Sequence, residues 1–335
     1  MIWIIVIGLG TFGVRCACHR RRKQALQMVE HSQYGLAGLP VIVGLGSGEH
    51  GENNKSAMVL CLDLDETLIA PQDLVVGRAA TRRFNEYWLK HHAPLGDVLI
   101  YNTGRSLDAY LKLIRTYGDM LCPNALVTGE GMSVHWFLDG PLREPKEDLE
   151  WEAHINQNWD IELVREAMAN FKSYNAGMCH PLPADASVGE KYRESIIVET
   201  KEDAVYATNT IRKMLSHTGV DAQVFHCGGA KYINYKYWVG AVPARAGKGT
   251  ALTYILNRLK IGHGNTMVVG DSGNDLSMFK LNDVKGTVVA NAQSELVDFY
   301  TNLMKSGRNS NFLYSEEKYA DAIVDGLKQL CSRNM

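Results

Sequence analysis

From residue 58 onward the chain alternates between short unbroken apolar runs and longer stretches whose apolar residues fall three and four apart. The runs at 58–62, 98–101 and 265–270 show no polar alternation, which is the pattern of strands buried on both faces of a parallel sheet. Shorter runs at 124–128 and 287–290 extend that series. Between them, 81–92, 106–117, 244–259, 276–280, a segment opening at Ser294 and 321–330 carry helical spacing, with Phe84, Tyr87, Trp88 and His91 forming one core-facing stripe. Strands alternating with helices predict an α/β domain built on a parallel sheet. Between 141 and 242 the rhythm changes. Helical patterns at 149–159 and 162–171 lead to a strand at 194–199, a helix at 201–217 and a strand at 223–226, which together read as a smaller inserted α/β unit.

The polar residues that interrupt the apolar runs carry the chemistry. The first run ends in Asp63, Asp65 and Thr67, and a spacing of two on a strand points both carboxylates the same way. Two like charges ~4 Å apart repel by roughly 4 kcal/mol at an effective dielectric of about 20, so stability alone explains the pair poorly. A hard cation such as Mg²⁺, held through one or two carboxylates and substrate phosphate, accounts for it better than an Asp-rich turn capping the next helix. The second run ends in Thr103, Gly104 and Arg105, a hydroxyl and exposed amides where phosphate oxygens can be received. The third ends in Asp271, Asn274 and Asp275, two further carboxylates at a strand end, although Asp275 also suits a helix cap. Lys248 opens the helix at 244–259, where a cation opposes the helix dipole unless it faces an anion.

Four motifs in this order resemble the haloacid dehalogenase (HAD) superfamily of phosphatases: Asp63-Leu-Asp65-Glu-Thr67, Thr103-Gly104-Arg105, Gly247-Lys248-Gly249 and Gly270-Asp271-Ser-Gly-Asn274-Asp275. Arg83-Phe-Asn-Glu-Tyr-Trp88 and Val289-Ala-Asn-Ala-Gln-Ser-Glu-Leu296 narrow the likeness to sucrose-phosphate phosphatases, over most of 57–330. The resemblance implies a Rossmann-like HAD core at 57–140 and 243–335, a parallel sheet flanked by helices, and an α/β cap at 141–242. It implies a Mg²⁺-dependent sugar-phosphate phosphatase, with sucrose 6-phosphate as the leading substrate and other glycoside phosphates behind it. Asp63 would be the nucleophile, ionised near the ordinary value of about 3.9, and Asp65 the general acid and base, raised by its carboxylate neighbours. Thr103, Gly104, Arg105, Lys248 and Asn274 would bind phosphate or order its loop, with Arg105 reaching either the phosphate or a cap residue. Metal ligation would fall to Asp63, Asp65 through its main chain, Asp271 and Asp275. Trp151 and Trp159 match a cap segment that suits sugar contact, although buried tryptophan is commoner as core. Arg193 and residues 228–238 depart from the family pattern where specificity should reside. A phosphosugar mutase shares such a core and is the alternative. A sugar-phosphate synthase is the partner protein that the resemblance admits, and the further C-terminal domain of plant members is expected to be missing.

Charge and cysteines restrict these options. Lys plus Arg 35 against Asp plus Glu 37 gives a net charge of -2, which argues against a nucleic-acid protein held by bulk positive charge. Seven scattered cysteines fit a reducing compartment, hence a cytoplasmic protein. Residues 1–56 form an N-terminal extension ending in a Gly-rich linker. Its apolar start is shorter than the roughly 20 residues of a membrane span and has its basic flank behind it. It therefore reads as a targeting segment to an organelle, a short anchor through residues 1–23, or an unstructured extension. The G-x-G-x-x-G at Gly8, Gly10 and Gly13 has too little chain around it for a dinucleotide domain.

Overall fold

The structure, a computed structural model, describes residues 57–137, 145–182, 192–228, 236–307 and 311–331. The expectations for residues 1–56 and for 229–235 lie outside these segments.

The large sheet has eight strands in the order β12-β11-β10-β1-β2-β3-β4-β5. Its centre is β1 (Val59–Leu62), paired in parallel with β10 (Thr266–Gly270) on one side and β2 (Val98–Asn102) on the other. Parallel pairing continues to β3 (Ala125–Thr128) at one side, and through β11 (Lys285–Val288) to β12 (Phe312–Tyr314) at the other. The alternate residues of β1 explain its unbroken apolar run. Leu60 and Leu62 pack with Phe84, Trp88, Tyr110, Ile323 and Leu327, whereas Val59 and Cys61 pack on the opposite face with Leu252, Ile255, Leu256 and Met278. Helices α1 (Leu74–His91), α2 (Leu107–Tyr117) and α9 (Tyr319–Leu330) supply the first layer, and α6 (Lys248–Leu259), α7 (Leu276–Phe279) and α8 (Ser294–Lys305) the second.

Between β5 (Lys146–Glu147) and α6 the chain builds a second sheet in the order β6-β7-β9-β8, antiparallel throughout. Its strands are β6 (Cys179–His180), β7 (Glu194–Val198), β8 (Ala222–Gly228) and β9 (Tyr237–Pro243). One face, through Ile196, Val198, Val224 and Val239, covers α4 (Ile161–Tyr174) and α5 (Lys201–Ser216). Ahead of them, α3 (Leu149–Ile155) is capped by Asp148, whose side chain accepts from the Glu150 and Trp151 amides. Asp160 caps α4 in the same way, and Thr200 with Asp203 forms a capping box on α5.

The α/β expectation with a parallel sheet and a smaller inserted layer is met. Several local readings are not. The first helix begins at Leu74 and not at 81, with the Asp73 side chain accepting the Val76 amide at its start. Its opening turn exposes Leu74, Val75 and Val76, so the amphipathic stripe does not extend through it. That helix also contains Gly77, where a Cβ would meet the Tyr117 hydroxyl at 2.7 Å. Strand β4 (Ser133–Trp136) pairs antiparallel with β3, and β9 fills a stretch whose aromatic and glycine residues gave no strand signal. Helix α8 has Gln293 at its cap position with no side-chain bond.

Candidate active site

The strand order turns back at β1, where β2 continues in one direction and β10 lies in the other, and a doubly wound sheet opens its crevice at such a place, outside the carboxyl ends of the strands. The predicted polar residues converge there. Asp63 follows β1, and its amide donates to the Val269 carbonyl at 3.0 Å, so the chain is still held by the sheet when the carboxylate leaves it. Lys248 is the first residue of α6 and only 1% exposed. Its Nζ donates to Asp63 Oδ1 at 2.6 Å and to Asp275 Oδ1 at 2.7 Å. Asp275 turns its other oxygen back to accept the amides of Asp271 and Ser272 at 3.1 and 3.2 Å. Thr67 Oγ1 donates to Asp271 Oδ1 at 3.3 Å.

The carboxylates of Asp63, Asp271 and Asp275 are buried, with oxygens within 4.8 Å of one another. Burial first, and then its carboxylate neighbours, push Asp63 well above the ordinary range, with Lys248 opposing them. The expected ionisation near the ordinary value therefore does not apply, since it assumed a solvated group. Burial and then Asp275 push Asp271 up to about 7. Burial opposes the Lys248 ammonium, but Asp275 and Asp63 more than offset it and raise the lysine well above its usual range.

Thr103 is buried at the end of β2, with its amide donating to the Val127 carbonyl and its Oγ1 accepting the Arg105 amide at 3.2 Å. Arg105 reaches Asp65, not the phosphate site or the small sheet. Its Nε and Nη2 donate to the two Asp65 oxygens at 2.7 and 2.6 Å, a bidentate clamp. Asp65 therefore stands outside the buried carboxylate cluster that sequence reasoning placed it in.

A family model described as sucrose-6F-phosphate phosphohydrolase matches residues 56–330. The chain belongs to this family. It is 29% identical to sucrose-phosphatase 1 of Nicotiana tabacum over 81% of this chain and 58% of that protein. It is 26% identical to a mannosylfructose-phosphate phosphatase of Agrobacterium fabrum over 82% of this chain and 97% of that one. The chain thus spans about three fifths of the plant relatives' length. A crystal structure of the Synechocystis sucrose-phosphatase, in complex with sucrose and phosphate, superposes with a TM-score of 0.63 at 22% identity, covering 82% of this chain and 98% of that chain, and shows the shared HAD fold.

In this sucrose-phosphatase family member the donor set fits a divalent cation. Three buried carboxylates lie together beside one ammonium, and hard oxygen donors of this kind suit such an ion. Asp63 and Asp271 have oxygens to give, whereas both oxygens of Asp275 are engaged by Lys248 and the loop amides.

Two predicted residues fall elsewhere. Trp151 is 1% exposed, with its Nε1 donating to the Gly131 carbonyl at 3.1 Å and its ring 5.0 Å from that of Tyr254. It has no face left for a sugar, and its helical stripe was that of a core residue. Trp159 is half-buried and packs against both the core under the large sheet and that of the small sheet. Asn274 accepts from Ser272 Oγ at 2.5 Å within its own loop and donates to Glu130 Oε1 at 3.0 Å.

Glu130 is the residue that sequence reasoning passed over. The Gly129-Glu-Gly131 turn follows β3, and all three residues have left-handed backbones, with φ of 62°, 61° and 96°. The two flanking glycines signalled a turn but not what the residue between them faces. Its Oε2 lies 4.0 Å from Lys248 Nζ, and its amide donates to the Thr103 carbonyl at 3.1 Å. A Cβ on Gly131 would lie 2.3 Å from the Gly247 carbonyl oxygen, so this turn and the start of α6 meet backbone to backbone.

Proposed function

We propose that this protein is a Mg²⁺-dependent sugar-phosphate phosphatase that hydrolyses sucrose 6-phosphate, or a closely related glycoside phosphate, through an aspartyl-phosphate. The observation that carries this reading is Asp63 held at 2.6 Å by a buried lysine, with Asp65 two residues on and Thr103 at the neighbouring strand end. Burial favours the neutral carboxyl of Asp63, and the Lys248 ammonium, together with a cation when one is bound, favours the ionised form that attacks. In the first step an oxygen of Asp63 bonds to phosphorus as the bond from phosphorus to the sugar oxygen breaks, and that oxygen takes the proton carried by Asp65. In the second, Asp65 takes a proton from water, the hydroxide bonds to phosphorus, and the bond to Asp63 breaks to release phosphate. For Asp65 to act, its clamp by Arg105 must open, which the guanidinium can do by turning to the incoming phosphate.

Lys248, Thr103 and the amides around Gly104 carry the charge that builds on the phosphoryl oxygens. Mg²⁺ would be held by Asp63, Asp271 and the main-chain carbonyl of Asp65, with Asp275 in support, and when bound it supplies charge neutralisation at the phosphoryl group. The inserted layer, residues 141–242, serves as a cap over a core at 57–140 and 243–335 and selects the sugar. Arg193, whose guanidinium lies 5.6 Å over the Trp238 ring, is its specificity candidate.

The test is phosphate release by the purified protein, with and without Mg²⁺, over a panel of sugar phosphates, with Asp63→Asn as control. Mg²⁺-dependent release abolished in Asp63→Asn is expected. Isomerised sugar phosphate without release would convert the reading to a mutase, and no turnover of any kind would end it.

A further inference from the structure

Glu130 is a carboxylate where an anion-binding site should have none. It sits in a left-handed turn that disfavours a long side chain, and the turn is locked at both ends. Its amide bonds to the Thr103 carbonyl, and Gly131 is wedged against Gly247 while Trp151 holds its carbonyl. The side chain is thereby delivered over the phosphate loop. Its Oε1 lies 2.2 Å from the position a Cβ on Gly104 would take, and Asn274 tethers that same oxygen. Its Oε2 faces Lys248 at 4.0 Å. Lysine has three donors, and two of those on Lys248 are spent on Asp63 and Asp275. The third is what a phosphate oxygen would use, and Glu130 is the anion beside it.

We infer that Glu130 is a positioning residue that competes with phosphate for Lys248, weakening phosphate binding and so speeding release of the product. This rests on the phosphatase reading above. A bound phosphate oxygen and the Glu130 carboxylate need the same side of one ammonium, and like charges this close in a partly desolvated pocket repel. The turn and the Asn274 tether keep the carboxylate from leaving. Affinity for the phosphoryl group is thereby held down in substrate and product alike, which raises KM without lowering kcat where product release is slow.

The discriminating change is Glu130→Gln in the full-length protein, because a glutamine oxygen still accepts from Asn274 and only the charge is lost. Titration calorimetry with inorganic phosphate, with and without Mg²⁺, is expected to give about tenfold tighter binding than the wild type, with a parallel fall in KM and in the inhibition constant of phosphate, and no gain in kcat. Glu130→Asp is expected to stay near the wild type. Glu130→Asn also removes the charge and suits the left-handed backbone, so it serves if the glutamine variant folds poorly. Phosphate binding no tighter in the uncharged variants, or none in any of the proteins, overturns the inference. Wild-type protein that binds phosphate but hydrolyses no ester would instead sink the phosphatase reading and leave the binding result to decide Glu130.

Discussion

Lys248→Met tests the electrostatic heart of the site. The substitution keeps the length and the buried stem and removes only the ammonium. At an effective dielectric of about 20, contacts of 2.6 and 2.7 Å are each worth about 6 kcal/mol of gross attraction. Desolvation of a lysine only 1% exposed cancels most of that. What the variant loses is the cost of leaving buried carboxylates without their cation, about 3–5 kcal/mol for a broken buried pair. In a domain of this size that lowers Tm by roughly 10 °C.

The loss depends on pH in a definite sense. Asp63, already raised by burial, would lose the cation that opposes it. Wild-type Asp63 already keeps its proton above the ordinary range, and the variant would keep it to a higher pH still. The deficit relative to wild type therefore opens where wild-type Asp63 ionises and widens as pH rises beyond that point. Activity is expected to fall about a thousandfold, the scale of losing one preorganised charge donor in a transition state. Calorimetric melts of both proteins at several pH values, with a phosphate-release assay, decide the matter. A variant that melts with the wild type across this range while keeping most of its activity would refute the assignment of Lys248 as the site's cation.

Metal and pH should be linked through Asp271. Its folded carboxyl keeps a proton up to about 7, whereas an unfolded aspartate releases it near 3.8. More protons are therefore bound in the folded state, and metal-free protein loses stability as pH rises between these values, by up to about 4 kcal/mol. Millimolar Mg²⁺ should raise Tm more above neutrality than at about pH 5, and an increment independent of pH would contradict the cluster as a cation site. Trp151→Phe keeps the packing on Tyr254 but removes the bond to Gly131, so it should cost about 1–2 kcal/mol in thermal unfolding with KM for the sugar phosphate unchanged. A large rise in KM at unchanged Tm would restore Trp151 as a sugar contact.

Five strands of the large sheet and the polar residues that gather at their ends were legible in the sequence because each depends on local pattern. Unbroken apolar runs report strands buried on both faces, and Asp63, Thr103 and Asp271 announce themselves as polar residues at the ends of such runs. Lys248 was legible because it contradicts the dipole of its own helix. Family motifs fixed their order but not their contacts. Only the tertiary structure decided that Arg105 clamps Asp65, that Trp151 is a strut, and that both oxygens of Asp275 are engaged, since each of these is a choice among partners distant in sequence. Glu130 is the clearest case. Two flanking glycines announce a turn in any fold, but its carboxylate acquires a role only when packing sets Gly131 against Gly247 and brings a charge from the end of β3 within 4.0 Å of a lysine 118 positions further along the chain. Periodicity carries information about which face of an element is buried. It carries none about which charges meet once those faces are covered, because that is set by long-range packing and by the desolvation it brings.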